Sequence, residues 1–108
     1  MADGRSWLAL VTFERRSEDQ AILPDWAHGA CGWMVARAPD QATARKFLVR
    51  DVESCGLRVL KIDKMQEIFA NQDVEAIDNC LATNLSRIEP GKETVWGIIH
   101  GYKGEGQA

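Results

Sequence analysis

Histidine is the side chain whose ordinary titration falls near neutral pH, so the two histidines are where proton-transfer chemistry would first be sought. His100 lies between Ile98 and Tyr102 in the segment TVWGIIHGY. With Arg37 brought nearby, it makes the one polar cluster that the sequence can assemble. Glu14 and Asp25 are carboxylates able to orient an imidazole, but their spacing does not bring them to His100. A histidine among aromatic residues more often packs and hydrogen-bonds than transfers protons, which leaves His100 a weak candidate for catalysis. His28 and Cys31 form an isolated H-x-x-C. A structural zinc site needs four ligands, so half a site predicts no metal.

No G-x-S-x-G, Walker loop, H-E-x-x-H or paired C-x-x-C occurs, and no G-x-G-x-x-G follows a strand. The glycines from Gly101 to Gly106 have no helix after them to aim amides at a phosphate. No cofactor is expected. The three cysteines, Cys31, Cys55 and Cys80, cannot all pair within one chain, and they sit in apolar strand or helix patterns where a thiol behaves as a small hydrophobe. Reduced thiols point to a cytoplasmic protein.

The chain has 108 residues and a mass of 12.0 kDa, enough for a single domain with one core. Its 45% hydrophobic and 27% charged residues are ordinary globular usage, which argues against disorder. A formal charge of −3, with acidic residues interspersed among the basic pairs, disfavours nucleic acid as a partner. No apolar run is long enough for a membrane helix, and Trp7–Val11 is too short for a signal-peptide core, so no membrane association is expected.

Periodicity supplies the elements. Residues Ser6–Glu14 read as a central strand, apolar on both sides. Residues 15–29 form a long connection in which Ile22, Leu23 and Trp26 argue for folding back onto the body, as a packed loop or as a lid carrying Trp26 and His28. Ala30–Ala38 reads as a second strand. Pro39 ends it, and Asp40 caps a helix over Gln41–Cys55 that closes on a left-handed Gly56. Its stripe is Ala44, Phe47, Leu48, Val52 and Cys55. Leu57–Ile62 is a third strand. Met65–Ala70 reads as a short strand or a turn of helix, Asp73 caps a helix running to Ile88, and Thr94–Tyr102 is the last strand. Residues 103–108 should be a mobile tail.

This order predicts an α+β domain spanning residues 1–108, with its core over about 6–102: a two-layer α/β sandwich. With Met65–Ala70 as a strand, it becomes a ferredoxin-like βαββαβ core preceded by an additional N-terminal strand, both helices covering one sheet face.

Alternation predicts where the rings go. In Ala30–Ala38 and Thr94–Tyr102 the small residues share one side, and a helix approaches a sheet most closely where side chains are small. The opposite side then collects Trp33, Arg37, Trp96, Ile98, His100 and Tyr102, joined by Trp7 and Phe13. An exposed patch of several large rings exceeds what monomers usually carry, so a cover is expected. It would be a second copy, the loop bearing Trp26, or a bound ligand.

The preferred reading is a small interaction or regulatory module, homodimeric through this aromatic face, with a protein or small molecule as a further partner. The alternative is a small-molecule-binding protein or enzyme whose pocket lies near His100, similar at fold level only to the dimeric α/β barrels. Binding of single-stranded RNA by stacked rings is a third reading, but the sequence lacks both the basic-aromatic strand signature and the positive charge.

Overall fold

The computed structural model describes residues 5–16, 23, 26–69, 71–89 and 91–102. The expectations for Ile22, Pro24, Asp25 and the 103–108 tail lie outside these residues. Within them the chain is an α+β fold with a four-stranded antiparallel sheet. Its elements are β1 (Arg5–Arg15), β2 (Gly29–Ala38), α1 (Gln41–Ser54), β3 (Leu57–Ile68), α2 (Asn71–Glu75), α3 (Asn79–Asn84) and β4 (Thr94–Tyr102), with a 3₁₀ turn over Leu85–Arg87. The strand order is β3-β1-β2-β4.

β1 and β2 are the central pair, as their two-sided apolar sequences require. α1 forms as expected. The Asp40 side chain accepts a hydrogen bond from the Thr43 amide at 2.7 Å, Cys55 takes the C-cap position, and Gly56 follows with φ of 82°. Ala44, Leu48 and Val52 of α1 bury against Trp7, Ala9, Val11 and Phe13 of β1 and Ala30, Met34 and Ala36 of β2. These two layers hold the larger core.

Three expectations are corrected. First, residues 57–68 are one strand, and it pairs with β1 along its length. The bend near Asp63-Lys64 is absorbed by a left-handed Lys64 with φ of 54° and by shifts of register, so no second strand is made. The described strands therefore do not form βαββαβ with an additional strand. Second, the stretch from Asp73 to Ile88 is not one helix: it breaks at Ala76-Ile77 and restarts under its own cap, Asp78. Third, the helices do not share a face. Val74 and Leu81 pack against Leu8, Val35 and Val95, the residues that alternate with those under α1. Accordingly α2 and α3 cover one end of the opposite face.

The aromatic residues are divided in the same way. In the β1–β2 ladder odd-numbered β1 residues meet even-numbered β2 residues, as Trp7 meets Ala36, and even-numbered ones meet odd-numbered ones, as Leu10 meets Trp33. Trp7 and Phe13 therefore lie with the small residues of β2, under α1. In β4 the register against β2 shifts between Gly32 and Met34, so that Gly97 and Ile98 together oppose Trp33. This bulge reverses the phase within one strand: Trp96 pairs with Met34 on the α1 face, whereas His100 pairs with Cys31 on the other. The single aromatic face does not form.

Candidate interaction surface

Three cross-strand rows make up the part of the second face that α2 and α3 leave open. Directly opposed residues in a ladder project to one side, so the rows follow from register alone. Lys61, Thr12, Cys31 and His100 form the middle row across β3, β1, β2 and β4. Nearer α3 the row is Asp63, Leu10 and Trp33, with the β4 bulge beside it. Farther out, Arg58, Glu14 and Gly29 make the third, with the backbone of Tyr102 in register with Gly29.

The surface is most apolar along the row next to α3. Trp33 leans on the Leu8–Val35 cluster but remains partly exposed, as do Leu10, Thr12 and Cys31, and Ile98 is 52% exposed. Its rim on the β3 side is charged. Lys61 pairs with Asp63 at 3.3 Å, and Glu14 bonds the Arg58 guanidinium and lies 3.4 Å from His28. The Arg58 hydrogen bond, chiefly, holds the Glu14 carboxyl below its ordinary pKa.

Both edges of the sheet are guarded. On β4, the outward-facing Ile98 amide donates to Asp78 Oδ2 at 2.9 Å, and Asn84 Nδ2 donates to the Trp96 carbonyl at 2.8 Å. The α3 cap residue and one α3 side chain thus occupy the backbone groups that another strand would need. Asp78 also caps α3, its Oδ1 accepting from the Leu81 amide at 2.9 Å. Gly97 makes this closeness achievable, because a Cβ there would overlap the Asp78 carboxylate and press on Leu81. On β3, Arg58, Lys61 and Lys64 are exposed along a strand with two register shifts, a poor template for pairing.

Of the residues expected to share one surface, Trp33, Ile98 and His100 do so, and Tyr102 has a ladder position at its outer end. Trp7, Phe13 and Trp96 are on the α1 side. There the Trp7 indole N–H donates to the Ala38 carbonyl at 3.2 Å, and Phe13 and Trp96 meet edge to face with centroids 5.4 Å apart. Arg37 shares the face of Trp33 but lies at its opposite end. Of the described residues before β2, Trp26 would be 3.0 Å from a Cβ at Gly101 and Ala27 joins the α1-side core, which puts these two on the other face from Trp33. His100 is exposed, and it is not among the residues lining the cavities of about 410, 440 and 240 Å³.

Sequence reasoning missed Asp51. It reads as one more polar residue on the outer side of α1, yet its Oδ2 accepts from Thr94 Oγ and Trp96 Nε1, each at 2.7 Å. Beside it Arg50 pairs with Glu93 at 3.1 Å, and the Gly91 amide, chiefly, holds the Glu93 carboxyl below its usual value. These groups line a cavity of about 440 Å³ with Ser54 and Lys92. Its polar atoms are largely used in tying α1 to β4. Among the described residues no group of three or more His, Cys, Asp or Glu side chains is placed to hold a metal ion, and no helix is long and apolar enough to cross a membrane. No protein-family model matches the chain, and neither a curated protein nor a solved structure shows significant similarity to it.

Proposed function

We propose that the chain is a non-enzymatic interaction module that pairs with a second copy of itself through the open half of the second sheet face. The observation that carries this reading is Trp33, partly exposed beside Leu10 and opposite an exposed Ile98, on a sheet surface whose two edges are guarded. An apolar strip flanked by polar and charged groups suits a protein interface, whose buried part is apolar and whose surround is polar. A two-fold axis through the patch would cover both copies at once, and guarded edges favour this over edge-to-edge extension of the sheet.

Size sets the strength. Four strands about 4.8 Å apart and five residues along each at about 3.4 Å give a footprint of about 250 Å² per copy. That is below the standard interface, so the pairing is weak and its dissociation constant falls in the micromolar range.

Light scattering coupled to size exclusion tests the proposal at loading concentrations from about 10 to 500 μM, a range chosen to bracket that affinity. The mass should rise from 12.0 kDa toward twice that value. Trp33→Glu and Ile98→Glu should each hold it at the lower limit while circular dichroism remains unchanged. A wild-type chain that stays at 12.0 kDa throughout, or a dimer indifferent to both substitutions, overturns the reading.

A further inference from the structure

At the end of the second face remote from His100, a cavity of about 410 Å³ opens between the β1–β2 ladder, the end of β3 and the 3₁₀ turn. Its walls are Ile68, Phe69, Leu85 and Ile88, and its polar groups are Arg37, Ser6 and Ser86. Ser6 and Arg37 are direct partners in the ladder, so their side chains rise from neighbouring points on one face. The volume falls within the range of small-molecule sites and is too small for a folded partner.

Arg37 gives the cavity its selectivity. Its backbone amide is used, donating to the Glu93 carbonyl at 2.9 Å, but among the described residues no acceptor pairs with its guanidinium. Three other arginines are paired with carboxylates: Arg5 with Glu67, Arg50 with Glu93, and Arg58 with Glu14. A guanidinium presents a planar fork of donors that matches a carboxylate, and two hydroxyls stand beside it to complete the anion's hydrogen bonds. Phe69 is 83% exposed although it is a large apolar residue, and it flanks the cavity mouth. A ligand with an apolar body would cover that ring and seat its anion on Arg37.

We infer that this cavity binds a small amphiphilic carboxylate, its head held by Arg37, Ser6 and Ser86 and its hydrocarbon body by Ile68, Phe69, Leu85 and Ile88. The site is at the opposite end of the sheet from the Trp33 surface and does not depend on the chain's oligomeric state.

Octanoate is the probe, titrated into the full chain and followed by methyl resonances in carbon-13 spectra and by calorimetry. Saturable shifts should appear at Ile68, Leu85 and Ile88 and not at Ile98. Loss of a charge-assisted hydrogen-bonding pair weakens binding by about tenfold or more, so Arg37→Gln should raise the dissociation constant by at least that factor, with an unchanged melting temperature because the side chain is exposed. Phe69→Ala should weaken binding without changing the preference for an anion. Octylamine and octanol test the head group. Equal affinity for all three amphiphiles, undiminished octanoate binding by Arg37→Gln, or no saturable shift at millimolar octanoate each overturns the inference.

Discussion

Asp78 joins two structural devices, so its removal has an effect that can be worked out. One carboxylate oxygen caps α3 at the Leu81 amide, the other holds the Ile98 amide at the guarded edge of β4, and the residue is only 8% exposed. Replacing an N-cap aspartate by alanine costs about 1 kcal/mol. Removing a carboxylate from a part-buried amide costs about 2 kcal/mol more, because the donor is left unpaired. For a domain of this size a loss of about 3 kcal/mol corresponds to a fall in Tm of about 12–24 °C, a large share of an ordinary domain's stability. Thermal unfolding by circular dichroism measures Asp78→Ala directly, and hydrogen exchange at the Ile98 amide should show lost protection. Asp78→Asn retains one good acceptor and should lose about half as much. A fall of less than about 4 °C for Asp78→Ala, with Ile98 exchange unaltered, would refute the reasoning that α3 is fastened to β4 through this carboxylate.

Two further outcomes follow from the same kind of contact. Asp51→Ala deprives the Thr94 hydroxyl and the Trp96 indole N–H of their acceptor, so stability should fall by about 1–3 kcal/mol and Trp96 fluorescence should shift as the ring loses its anchor; Asp51→Asn should restore part of this. Acid should destabilise the fold. Asp40, held low chiefly by the Thr43 amide, Glu14 and Glu93 all have carboxyl pKa values lower in the folded chain than their ordinary values. The folded state thus binds fewer protons than the unfolded one, and the contribution present above the ordinary carboxylate range is lost as pH falls from about 4 through the lowered values. Tm should be level above about pH 5 and fall below about pH 4, with a shallower fall in Asp40→Asn, whereas a Tm that rises on acidification contradicts the assignment.

What could be seen in the sequence was local. β1, β2, α1 and β4 follow from alternation or helical spacing, and the stops around α1 follow from Asp40 and Gly56, whose roles depend on neighbours a few residues away. What could not be seen was relational. Alternation places Trp7 on a side of its own strand but cannot tell which side of β2 that meets; register decides this, and it puts Trp7 beside Ala36. One extra residue at Gly97-Ile98 separates Trp96 from His100, although their spacing suggests a common side. The spacing from Val74 to Ile88 suggests one helix, yet Asp78 breaks it by a bond to β4 twenty residues away. Gly97 did carry a usable signal. Its smallness suggested close approach of a helix, and α3 makes that approach.

The central claim is that two copies meet across Leu10, Thr12, Cys31, Trp33 and Ile98. Isotope-filtered nuclear Overhauser spectroscopy on an equal mixture of labelled and unlabelled chains reads such a meeting without any substitution. Intermolecular contacts should be confined to those side chains and the adjoining His100. Intermolecular contacts at Leu60 on the β3 edge or at Trp96 beneath α1, with none at Trp33, would contradict it.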